Sequence, residues 1–294
     1  LPELQRKEIV VAGVRLYYIE AAPATSATLP PLVLLHQLLA TAETLTELIT
    51  HLPSDRRIVA LDLLSAAPLD GGPLDTHAPV LAELVTGFLR ALTLERPVLI
   101  GHSFGGTLAL WIASSGELPL AGLVLLAPAH PFAGYRAHVV AFYLTRWGRF
   151  LALCIPLAPR WAILWAYNQA AGPTDPITQQ HLAPHLRVLR RRDTLRRVLA
   201  ILSTWEADMS VLRTKLFSHA IELPALLVWG GHDDIVPPAS ATALARSLPG
   251  SQFHTLPSCG HLLPEEAPAE CARLLTEWLK QPSTTKPGRL AHHG

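Results

Sequence analysis

Charge is scarce in this chain. Of its 294 residues 16% are charged and 50% hydrophobic, and the formal net charge is +1. A balance so near neutral, with no zinc-finger, helix-turn-helix or RNA-sheet motif, gives no electrostatic reason to bind nucleic acid. Cysteine is scarcer still. Cys154, Cys259 and Cys271 form no C-x-x-C pair, so neither a disulfide framework nor a zinc site is indicated. The 14 histidines contain no H-E-x-x-H or comparable spacing, and no metal is expected. No uninterrupted apolar run approaches the ~18 residues of a membrane span, and no basic start leads into an apolar stretch. A reducing, cytoplasmic compartment is the expectation.

What is present is length enough for a sizeable core and a rhythm. Glu8–Ala12 and Arg15–Glu20 read as an opening hairpin about Gly13, followed by a loop from Ala22 to Pro31. Short strand-like runs at Leu32–His36, Arg57–Asp62, Pro97–Ile100, Gly122–Ala127, Ala225–Gly230 and Gln252–Leu256 alternate with helix-like spacing at Ala42–Leu52, Thr76–Leu92, from Phe104, at Ala239–Leu248 and at Pro264–Leu279. A Pro/Gly-rich loop is expected after Asp62. Buried strands alternating with helices are what a parallel sheet covered on both faces requires. The rhythm stops at Pro128, and a helix-patterned stretch from Pro131 to Leu216, carrying Trp147, Trp161, Trp165 and Trp205, intervenes. Prolines 156, 159, 173, 176 and 184 are expected to divide it into short helices. The expected organisation is a core over 1–128 and 222–281, a helical lid over 129–221 and a frayed tail over 282–294.

The stretch Val98–Leu110, VLIGHSFGGTLAL, reads as strand, tight turn and helix. Its G-x-S-x-G pattern forces Ser103 onto a strained corner with its hydroxyl clear of the sheet edge. Side chains at Gly101 or Gly105 would collide with neighbouring backbone. The helix opening at Phe104 turns free N–H groups toward the place where an oxyanion would form, making Phe104 N–H a candidate donor. A serine hydroxyl needs a general base held by an acid. Two later loops carry them: WGGHDDIVP places Asp233 and Asp234 beyond a strand end, and Cys259-Gly260-His261 places an imidazole beyond the last strand. The order Ser103, Asp233, His261 is that of one serine-triad fold and differs from the others.

On GHSFGG, WGGHDDIVP and the GH of SCGHLLPEEAP, the chain resembles the α/β-hydrolase superfamily, in its lid-bearing esterase, lipase and thioesterase form, over nearly its whole length. The resemblance implies an α/β fold with a mostly parallel central sheet flanked by helices and a helical lid after the sixth strand. It places the acid four residues before the loop proline, at Asp233, with Asp234 as the alternative. The chain departs from the family in two places. His36-Gln37-Leu38 stands where His-Gly is usual, leaving Leu38 N–H as the second oxyanion donor, with the Gln37 amide as an alternative donor or pocket-lining group. Leu63 to Pro68 replaces a glycine-rich turn. His36, Gln37 and His102 flank the site as candidate substrate-binding residues, the two histidines more as hydrogen-bonding supports than as catalysts.

The function implied is a serine hydrolase for a carboxylic ester or thioester with an apolar acyl part, needing no cofactor. The alternatives are a receptor-like member with little turnover, a carbon–carbon bond hydrolase, or a cofactor-free haloperoxidase. Two stretches of the insertion stay open. Phe142 to Tyr167 reads as lid core, as the roof of an acyl pocket, or as a membrane-contacting surface. The run Arg187, Arg190, Arg191, Arg192, Arg196 and Arg197 forms one amphipathic basic helix or two in tandem. Its basic face is either solvated or docks an acidic carrier or anionic lipid surface.

Overall fold

The computed structural model describes residues 3–23, 29–134, 137–173 and 179–281. Four runs are buried at every position and apolar but for His102 at the end of one: β3 (Leu32–Leu35), β5 (Val98–His102), β6 (Gly122–Leu126) and β7 (Ala225–Gly230). Strands buried on both faces belong to the middle of a parallel sheet. They stand together there, in the order β1-β2-β4-β3-β5-β6-β7-β8. The opening hairpin β1 (Leu4–Val11) and β2 (Val14–Ala21) forms one antiparallel edge, and mostly exposed β8 (Gln252–Leu256) the other. β4 (Ile58–Pro68) is longer than expected. The anticipated loop after Asp62 stays extended because β2 pairs with it as far as Val14 opposite Pro68, and Leu63, Leu64 and Ala66 are buried.

The helices of the alternation pack in pairs, α2 (Ala78–Ala91) with α3 (Phe104–Ser115), and α1 (Thr46–His51) with the C-terminal α11 (Pro268–Leu279). Three helical expectations are modified. The first turn of Ala42–Leu52 is a 3-10 turn capped by Thr41; the Ala239–Leu248 stretch holds only a 3-10 turn and the short α9 (Ala241–Ala245); and the last helix breaks at Ala267 into α10 (Leu263–Glu266) and α11.

Between β6 and β7 lie α4 (Ala137–Leu144), α5 (Arg146–Cys154), α6 (Arg160–Asn168), α7 (Gln179–Leu189) and α8 (Arg192–Ser218). Pro156 and Pro159 do break the chain between α5 and α6, but Pro184 lies inside α7. The lost hydrogen bond there is offset by burial of Leu182, His185 and Leu186 on the same helix. The arginine run divides into two helices, with Arg190 and Arg191 at the corner. Ile163, Leu182, Leu186, Leu189 and Leu195 form a small core of their own, whereas Val198, Ile201, Met209, Leu212 and Leu216 of α8 join the main one. Asp208 fastens α8 to the start of α2 by accepting the Ala78 N–H (2.9 Å), while the Thr204 hydroxyl one turn back on α8 also donates to it (2.9 Å). The 282–294 stretch, and Pro176, lie outside the described residues.

Candidate active site

A single residue, Ser103, joins β5 to α3. It takes φ 51° and ψ −114°, a conformation that an L side chain adopts only when its surroundings impose it. A Cβ on Gly101 would lie 2.5 Å from the Gly105 carbonyl oxygen, and one on Gly105 only 2.1 Å from that of Leu35, so both must be glycine. The strained residue is pinned on both sides. Its N–H donates to Leu126 O (3.0 Å), and its carbonyl accepts the N–H of Gly106 (2.9 Å) and of Ala129 (3.0 Å).

The loops after β7 and β8 bring an acid and an imidazole to this corner. Ser103 Oγ lies 2.9 Å from His261 Nε2, and His261 Nδ1 lies 2.8 Å from Asp233 Oδ2. The other oxygen, Asp233 Oδ1, accepts the N–H groups of Ile235 (2.9 Å) and Val236 (2.8 Å), which fixes the carboxylate plane. Asp233 is buried and Asp234 exposed. Of the two carboxylates the sequence offered, only Asp233 meets the imidazole.

His261 is held through its backbone. Its N–H donates to Ala170 O (2.7 Å), and its carbonyl accepts from His102 Nε2 (2.7 Å). Burial, reinforced by the charge His261 would carry, pushes His102 down to about 3, so it stays a neutral donor. The Glu266 carboxylate accepts the N–H groups of Gly260 (2.8 Å), Leu262 (2.8 Å) and Gly172 (2.6 Å), gripping the histidine loop from both flanks. Burial still raises the Glu266 carboxyl above the usual range, although those three bonds pull it down.

Beside the α3 N-terminus runs the loop after β3. Phe104, the first residue of α3, has an N–H that the helix itself cannot bond. Gly105 packs so closely on Leu35 and His36 that the loop bearing Leu38 adjoins it. Substrate contact at His36 and His102 gives way to support. His36 donates from Nδ1 to Gln37 O (2.7 Å) and accepts the Leu63 N–H at Nε2 (3.1 Å), both ring nitrogens being taken. The Gln37 amide likewise has a partner inside the protein. It is buried and turned to Glu265 Oε1 (3.4 Å), while Glu265 Oε2 lies 2.7 Å from His185 Nε2 of α7. His185 Nδ1 (3.3 Å) and the Tyr167 hydroxyl (3.0 Å) reach the carbonyl of Leu39, itself at φ 60°. Burial raises the Tyr167 phenol, keeping it a donor. Glu265, Glu266, His185 and Tyr167 escaped the sequence reading. The signal available was the Glu265-Glu266 pair, two adjacent carboxylates four and five residues after His261, behind apolar Leu262-Leu263-Pro264.

The arginines stand apart from this site. Arg187 pairs with Glu43 and Arg196 with Asp193 (2.7 Å), whereas Arg190 and Arg191 are exposed. Among the described residues no group of His, Cys, Asp and Glu could hold a metal ion.

The fold has known counterparts. The sequence model of the alpha/beta hydrolase fold matches residues 30–268. The hydrolase YugF of Bacillus subtilis is 25% identical over 93% of this chain and 97% of its own. The 2-hydroxymuconate semialdehyde hydrolase of Pseudomonas putida is 25% identical over 77% of this chain and 78% of its own. Among solved structures, Cfl2 of Burkholderia cenocepacia superposes with a TM-score of 0.81 at 21% identity, covering 95% of this chain and all of that one. With a family match over most of its length, and the sheet order and strand-to-helix corner described above, the chain belongs to the alpha/beta hydrolase fold family of enzymes.

Proposed function

We propose that this hydrolase cleaves a carboxylic ester or thioester with an apolar acyl part through Ser103, His261 and Asp233. The observation that carries the reading is the unbroken relay Ser103 Oγ, His261 Nε2, His261 Nδ1, Asp233 Oδ2, with both links under 3 Å, on a serine held in strained backbone. His261 Nε2 takes the hydroxyl proton as Ser103 Oγ attacks the carbonyl carbon, and Asp233 stabilises the imidazolium and fixes its tautomer. The oxyanion is received by Phe104 N–H and Leu38 N–H. Collapse expels the alcohol or thiol with the proton from His261, leaving an acyl-enzyme. Water, deprotonated by His261, attacks that ester, and the carboxylic acid leaves as Ser103 regains its proton. In this reading 1–128 and 222–281 form the catalytic core and 129–221 a lid, whose middle, at Ala170–Gly172, is hydrogen-bonded to His261 and to Glu266 beside the histidine loop.

Carbon–carbon bond hydrolysis by the same three residues is a second reading, favoured by the likeness to the 2-hydroxymuconate semialdehyde hydrolase. The test is labelling with a fluorophosphonate probe, followed by a chain-length panel of p-nitrophenyl esters and a vinylogous 1,5-diketone substrate. Labelling confined to Ser103 with turnover of the esters supports the first reading, and turnover of the diketone alone moves the assignment to the second. A folded protein that takes no label and turns over neither class overturns both.

A further inference from the structure

Both α5 and α6 carry large apolar residues on their outward sides. A helix on the surface of a water-soluble protein turns its large apolar residues inward. Here α5 buries Gly148 and Ala152 and leaves Trp147, Phe150 and Leu151 outside. On α6, Trp161 and Trp165 are one turn apart and face outward together, and Leu157 stands exposed on the turn between the helices. Trp147, Leu157 and Trp161 are each more than 70% exposed, at 76%, 74% and 72%. Single exposed apolar residues are ordinary, but five on two consecutive short helices and a sixth on the turn between them form a surface that water alone does not favour.

What could cover this face is limited by charge. Between Glu117 and Asp175 the chain has no Asp or Glu at all. The charged groups on these helices are Arg146, Arg149 and Arg160, all exposed. The small core of Ile163, Leu189 and Leu195 brings the α7–α8 corner against α6, and there Arg190, Arg191 and Arg192 are exposed as well. A second copy docked on the same face about a two-fold axis would set arginine against arginine. Tryptophans amid an apolar face, rimmed by six arginines and a single carboxylate, Asp193, which is paired with Arg196, match the boundary between anionic headgroups and acyl chains. The pair has the length and composition of a membrane span, but its axis turns by 119° between Leu157 and Arg160. Two short helices bent in this way suit a place along the surface, with their exposed tryptophans toward the bilayer.

We propose that α5, α6 and the turn joining them are a docking face for an anionic lipid bilayer, with Trp147, Trp161 and Trp165 entering the headgroup layer and the arginines meeting the phosphates. The face contains none of the residues of the proposed triad, so docking is measurable without turnover.

The experiment is flotation of the full chain with phosphatidylcholine vesicles and with vesicles containing about 30% phosphatidylglycerol, before and after Trp147, Trp161 and Trp165 are all replaced by serine. The wild-type chain should float with the anionic vesicles, less so as salt rises, and the triple variant should partition at least about tenfold less. Hydrolysis of a short soluble ester by the variant should stay at the wild-type rate. In case the variant does not fold, quenching of wild-type tryptophan fluorescence by brominated anionic lipid is a second reading of the same contact. No flotation and no quenching would overturn the proposal. So would flotation that survives the triple substitution, or wild-type chain that stays off vesicles but dimerises through these tryptophans in light scattering.

Discussion

Ser103 concentrates the local cost of the site in one residue. Its positive φ is imposed by glycines that no side chain can replace and by backbone bonds to β6 and to Ala129. Truncating the hydroxyl leaves that frame untouched, so Ser103→Ala should lower kcat on a p-nitrophenyl ester by about 10³-fold or more while the melting temperature holds. Ester turnover surviving in the folded variant would remove Ser103 as nucleophile. Asp233 and Asp234 are adjacent in sequence and unlike in surroundings. Asp233→Asn should cost on the order of 10²–10⁴ in kcat by unsettling the His261 tautomer, and Asp234→Asn, at an exposed position, little. Kinetics of the two purified variants compare them directly, and the reverse order would reassign the acid. These residues were legible in the sequence because each sits on a local motif. Choosing between the two aspartates needed the fold, since only the return of the β7 loop beside β8 turns one carboxylate to the imidazole.

Whole elements meet at Glu265. From α10 this carboxylate reaches His185 on α7 and Gln37 on the loop after β3, and His185 in turn faces the Leu39 carbonyl. Three segments far apart in the chain are thereby tied beneath the loop that bears Leu38. Glu265→Ala would strand a buried imidazole and a buried amide, a loss of about 1–3 kcal/mol per unsatisfied group. It should also loosen the loop presenting Leu38, lowering kcat about tenfold, whereas Glu265→Gln, which can still accept from His185, should recover most of the stability. Urea unfolding and ester kinetics on the two variants separate these effects; equal losses in both would mean that acceptance from His185 is not what holds the loop. The Glu265-Glu266 pair stands out in the sequence, but nothing there names the partners of this tie. Gln37 read as a departure from the glycine usual there, and its reason lies 228 residues away in Glu265.

Across the whole molecule, burial of imidazoles sets the response to acid. His102 and His130 are both enclosed, and burial holds each down to about 3, whereas in the unfolded chain each titrates near ~6.5. Between those values the unfolded state binds the extra protons, so stability is complete above about pH 6.5 and is lost as the pH falls, by about 1.4 kcal/mol per unit for each group once well below it. Thermal melts from pH 7.5 to 5 should show a falling melting temperature. His102→Gln should flatten the slope, and an unchanged slope would show that His102 does not titrate in this window. By itself the sequence determined the strand-helix alternation, the serine corner and the order of the three motifs, because apolar period, turn glycines and helix starts are local properties of consecutive residues. It also placed the helical insertion between the sixth and seventh strands. Only the tertiary structure decided which carboxylate meets His261, that His36 and His102 hold backbone, that β4 continues past Asp62 against β2, that α7 keeps its proline, and that α5 and α6 turn their tryptophans outward. Each of these depends on what a segment packs against, and a segment's neighbours in space are not its neighbours in the chain.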